Sequence, residues 1–104
     1  KHRMWVSPEL TEPPSYYYRR QGFASFGEDR SGLDLGVAHD LIDNFMWAND
    51  YPHHEGTWPH SASAIERTMG NLTEENRSKV LGGNAARFWN IEVPAKYQLA
   101  VEAN

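Results

Sequence analysis

Asp50, His53, His54, Glu55 and His60 fall within eleven residues of one another. These are side chains that ligate zinc or nickel. A carboxylate there could hold a divalent metal and accept a proton from a bound water whose pKa has been lowered to near neutrality. Spacing argues against a self-contained site. Adjacent His53 and His54 point apart, and Gly56-Thr57-Trp58-Pro59 follows with no helical i, i+4 registration. Asp50 is the strongest chemical candidate, and a structural alternative stays open beside it: an Asx turn or helix cap ahead of Tyr51-Pro52. Trp58 is either one wall of a substrate pocket or an aromatic plug over it. His54 and His60 read as surface residues. His39, beside Asp40, is solvent-facing or a satisfied packing histidine.

What must position Asp50 is the run that precedes it, Phe45-Met46-Trp47-Ala48. Four apolar residues rich in aromatics, stopped by Asn49-Asp50-Tyr51-Pro52, predict a strand buried on both faces. Its end presents Asp50 at the C-terminal edge of a sheet, where parallel α/β folds keep their chemistry. Gly22 to Phe26 predicts an earlier strand, closed by a polar loop over 27–32. Leu33, Val37 and Leu41, with Ala38 and Ile42 beside them, have the spacing of a helix, although Gly36 weakens it by roughly 1 kcal/mol. Strand, helix, strand is a βαβ unit with parallel strands.

The remainder reads as connectors and cover. Residues 1–6 have the look of the last turns of a helix, and 7–15, with Pro8, Pro13 and Pro14, of an extended connector. Ser15 could cap a short turn carrying Tyr16, Tyr17, Tyr18, Arg19 and Arg20, packed against a barrel wall. Ser61 is the expected N-cap of a helix with Ile65, Met69 and Leu72 on one face. A further helix starts at Thr73, with Glu74 and Glu75 in its first turn, and stops at Gly82-Gly83. Asn84 then caps a short helix carrying Ala85, Ala86, Phe88 and Trp89.

Trp47-Ala48-Asn49-Asp50-Tyr51-Pro52-His53, then Gly56-Thr57-Trp58-Pro59, then Gly83-Asn84-Ala85-Ala86-Arg87 resembles, in order, the C-terminal end of amidohydrolase-related metal-dependent hydrolases. The resemblance is to the branch that includes aminocarboxymuconate-semialdehyde decarboxylase. It covers residues 1–93, with 94–104 as a C-terminal tail. It implies an α/β fold, about the last two βα units plus terminal helices of a TIM (β/α)8 barrel. It also implies Asp50 as metal ligand and general base, and His53 as a second-shell or substrate-contacting residue. Ala48-Asn49 stands where Gly-Ser is common in that family, which keeps the ligand and alters the pocket's fine shape. Asn84-Ala85-Ala86-Arg87 reads as structural.

A TIM barrel takes about 250 residues and eight strands, and this sequence shows two strands in 104 residues. The expectation is a piece of a longer enzyme, in keeping with a start at Lys1 ahead of Met4. The implied parent hydrolyses or decarboxylates a small carboxylated or aromatic substrate through a metal-activated water, zinc foremost, whose other ligands lie outside this sequence. The isolated chain is expected to be inactive and to self-associate through open strand edges. The alternative is a non-catalytic interaction module, a barrel remnant that binds a partner or itself. Net charge is −4 with mixed signs, against nucleic-acid or anionic-membrane partners. An apolar content of 39% is that of a globular protein. The sequence contains no cysteine, no membrane-length apolar run and no signal-peptide pattern, in keeping with a cytoplasmic enzyme.

Overall fold

A computed structural model describes residues 9–97; the helical reading of residues 1–6 and most of the 94–104 tail fall outside them. The architecture is a small α/β unit. Its elements are α1 (Pro14–Gln21), β1 (Ala24–Phe26), α2 (Arg30–Ala38), a 3-10 turn (Ile42–Asn44), β2 (Phe45–Trp47) and α3 (Ser61–Met69). A continuous helical stretch follows: α4 (Glu74–Ser78), a π segment (Lys79–Gly83) and α5 (Asn84–Phe88), with a last 3-10 turn at Ala95–Tyr97.

β1 and β2 pair in parallel, with Ala24 opposite Phe45, Ser25 opposite Met46 and Phe26 opposite Trp47. This is the expected βαβ unit, with shorter strands. β2 is less covered than a strand buried on both faces: Met46 is buried and its neighbours Phe45 and Trp47 are half-buried. The two-stranded sheet has few elements to cover it. Leu33, Ile42, Met69 and Val80 form the core, with Phe26, Phe45, Trp47, Ile65, Leu72 and Leu81 packed against it.

Several boundaries differ from those expected, each for a local reason. α1 starts at Pro14 rather than with a Ser15 cap, because proline's preset φ and missing N–H suit the first helical position. None of its residues is buried among the described residues: Tyr16 and Tyr17 meet edge to face, and Arg20 lies over both rings. α2 begins at Arg30, inside what reads as a loop, because the Asp29 carboxylate accepts the Gly32 N–H at 2.7 Å and caps it. The helix ends at Ala38, which leaves Val37 exposed and Leu41 outside the helix. Gly36 is buried and weakens α2 for a purpose. A Cβ there would lie 2.4 Å from the Phe45 ring, so its absence lets α2 close onto β2.

Ser61 is the first residue of α3 and not its cap; its hydroxyl meets that of Thr57 at 3.0 Å instead. Leu72 reaches the core from beyond the end of α3. The helix expected to start at Thr73 does start there, and Thr73 caps it by accepting the Asn76 N–H. The helix does not stop at Gly82-Gly83. Gly83 and Asn84 both keep helical angles, and the turn widens into a π segment. Asn84 therefore is no cap. It is 1% exposed, and its amide donates to the carbonyls of Ile42 and Phe45, both at 2.8 Å, which ties the long helix to β2. Asn44 does the same work at the other side, donating to the Tyr18, Arg19 and Gly22 carbonyls at the end of α1.

Candidate functional site at the strand ends

A cleft of about 440 Å³ opens where β1 and β2 end, lined by residues 25–28, 48–50 and 55–57. This is the C-terminal edge of a parallel sheet, and Asp50 is in its lining. The chain leaves β2 through Ala48, whose N–H still bonds to the Phe26 carbonyl at 2.9 Å, so the path to Asp50 is anchored on the neighbouring strand.

Asp50 adopts a left-handed backbone, φ 57°. Asp40 and Asn90 do so as well, so the conformation alone does not mark a site. What distinguishes Asp50 is the division of labour around it. Asn49, not Asp50, makes the Asx turn: its side-chain oxygen accepts the Tyr51 N–H at 3.1 Å. The Asp50 carboxylate is left for His53, whose Nδ1 stands 2.9 and 3.0 Å from the two oxygens. The Asx-turn reading of Asp50 is thereby replaced, since the residue before it already takes that acceptor role.

The remaining candidates separate. Trp58 is exposed and meets Tyr51 edge to face at 5.3 Å, forming with Asn49 a shallower recess beside the cleft. His54 is almost fully exposed and pairs with Glu55 at 3.1 Å, and exposed His60 precedes the first turn of α3. His39 ends α2 on the surface, and its carbonyl accepts from Arg19 at 3.0 Å. Among the described residues, no group of three or more His, Cys, Asp or Glu side chains is arranged to hold a metal ion.

Two further carboxylates line the cleft: Glu55, which the sequence already groups with Asp50, and Glu28, which lacked a sequence signal for this placement. Glu28 lies in the stretch that reads as a polar loop and is brought in by β1's end; it pairs with Arg67 of α3 at 2.5 Å. Glu55 comes in because the loop after Asp50 folds back: Thr57 N–H bonds to the Asn49 carbonyl at 2.9 Å. The cleft thus offers exposed carboxylates past a strand end, one of them, Asp50, held by the His53 imidazole from outside the lining, an arrangement suited to cation binding and proton transfer.

Among the described residues no helix is long and apolar enough to cross a membrane. Comparison with curated proteins returns no match. A protein-family model described as Amidohydrolase matches residues 2–91.

Proposed function

Because the chain belongs to the amidohydrolase family, we propose that it forms the C-terminal part of a metal-dependent hydrolase or decarboxylase of the (β/α)8 barrel type, in the aminocarboxymuconate-semialdehyde decarboxylase-like branch. The family assignment carries hydrolase-type chemistry. The narrower reading rests on Asp50: a carboxylate at the C-terminal end of a parallel strand, relieved of turn duty by Asn49 and held by His53. The substrate class proposed is a small carboxylated or aromatic molecule, and the compartment the cytoplasm.

In this reading Asp50 accepts a proton at its carboxylate during turnover. His53, with Nδ1 protonated, donates to both carboxylate oxygens and fixes their orientation. Trp58 and Tyr51 form an aromatic edge beside the cleft against which a planar substrate can rest. Carboxylate oxygen is a donor that divalent ions accept, so Asp50 fits as one ligand of such an ion, zinc foremost. The described residues alone fall short of the three protein ligands that catalytic zinc takes. When bound, the ion supplies Lewis-acid chemistry.

The test is Asp50→Asn in the natural gene product, assayed for turnover of small aromatic carboxylic acids. Loss of a general base costs about 100-fold or more, and turnover equal to wild type would remove the proposal. A second reading, a non-catalytic module that self-associates, is favoured by the exposure of Ala24 and Ser25 on β1 and of Phe88, Trp89 and Ile91. Size exclusion over a range of concentrations separates them, since a concentration-independent monomer has no edge in need of a partner.

A further inference from the structure

The loop that carries Asp50 is closed by contacts that none of the roles assigned so far requires. Asn49 grips it twice. Its side-chain oxygen accepts the Tyr51 N–H at 3.1 Å, and its carbonyl accepts the Thr57 N–H at 2.9 Å. Between those points the His53 N–H bonds back to the Asp50 carbonyl at 2.9 Å, and the Gly56 N–H to the His53 carbonyl at 3.0 Å. Gly56 sits inside this ring of carbonyls. A Cβ there would lie 2.6 Å from the Asn49 oxygen and 3.0 Å from those of Asp50 and His53, and backbone oxygens cannot swing away as a side chain can. Thr57, 8% exposed, anchors the far end through its hydroxyl contact to Ser61 at 3.0 Å.

We infer that Asn49 and Gly56 are positioning residues: together they lock the 49–57 loop so that the Asp50 carboxylate, at the cleft, faces the His53 imidazole. The inference rests on the proposed role of Asp50 and deepens it. Asp50 is exposed and in a left-handed conformation, so burial does not hold it; the clasp does. Asn49 suits the position chemically, because its side chain can take the acceptor role of an Asx turn without placing a second charge beside Asp50.

The experiment compares Asn49→Ala, Asn49→Ser and Gly56→Ala with Asp50→Asn in the natural gene product. The readouts are amide exchange at Tyr51 and zinc affinity, measured by competition with a chelating indicator. Asn49→Ala is expected to lose Tyr51 protection and to weaken zinc binding about tenfold, the low end for residues that orient a ligand. Asn49→Ser, whose hydroxyl can accept the same N–H more weakly, recovers part of both. Gly56→Ala gives the same loss by displacing the loop from the other side, and serves if Asn49→Ala fails to fold. Wild-type zinc affinity in both Asn49→Ala and Gly56→Ala, with Asp50→Asn impaired, overturns the clasp and leaves Asp50's role intact. Wild-type affinity in Asp50→Asn overturns that role itself.

Discussion

Asn84 and Asn49 use the same side chain in opposite settings. Asn84 is buried between the long helix and β2, with its amide shared by two carbonyls of the 42–45 segment. Asn49 stands at the mouth of the cleft, its side chain accepting one N–H of a mostly exposed loop. On the helix side, stability comes from burial and from paired polar groups that would be costly to strand. At the strand ends, Thr57 is buried and Asn49 half-buried, but the Asp50 and His53 side chains stay exposed and are arranged by short-range turn geometry. The part that holds the molecule together is thus separate from the loop in which the proposed site lies.

That separation is testable by substitution. The largest loss of stability is expected for Met69→Ala, which empties a fully buried position in the core; large-to-small changes of this kind cost about 2–5 kcal/mol, read as a lowered melting temperature. Next comes Asn84→Ala. It strands the Ile42 and Phe45 carbonyls, at about 1–3 kcal/mol for a buried group left without its partner, and a melt matching wild type would mean water replaces the amide.

A smaller effect follows from Lys79, whose ammonium lies 3.1 Å from Asp43 and 3.2 Å from Glu75. The hydrogen bond with Asp43, then that with Glu75, raises its pKa above the ordinary lysine value. A raised folded-state pKa contributes stability that is fully present below the unfolded lysine pKa and is lost as pH rises through the folded one. The side chain is 37% exposed, so the effect is weak and salt-sensitive. Melting temperature should therefore fall on passing through the alkaline lysine range, and Lys79→Met should flatten that fall.

The smallest expected change in stability is for Asp50→Asn, within about 0.5 kcal/mol. Asp50 is exposed, and asparagine tolerates the left-handed backbone. A large destabilisation there would blur the contrast between the two regions.

What could be read in the sequence was whatever depended on near neighbours. The strand at Phe45, the parallel βαβ order and the helix start around Thr73 follow from local pattern, and the structure has each of them, with Asp50 three residues beyond the end of β2. What escaped depended on distant partners. Asn84 reads as a cap because asparagine favours helix starts; only the approach of residues 42–45 turns its amide inward instead. Gly82-Gly83 reads as a stop because glycine often ends helices, yet packing of the π segment on β2 and the 42–44 turn carries the helix through. Glu28 enters the cleft through strand pairing, which residue type does not announce, whereas Glu55 was already grouped with Asp50 by its nearness in sequence. Asn49 was legible as a turn former, but its taking the Asx role and so releasing Asp50 depends on how the loop folds back on itself.

The central claim is that Asp50 serves chemistry and not architecture. The most direct measurement is zinc content by elemental analysis of the purified natural gene product, wild type against Asp50→Asn, with a thermal melt of both after chelation of the metal, since bound zinc itself raises the melt. Loss of bound zinc with an unchanged melt is the predicted result. Equal zinc in both, or an equal loss of zinc and of folded protein, would contradict it.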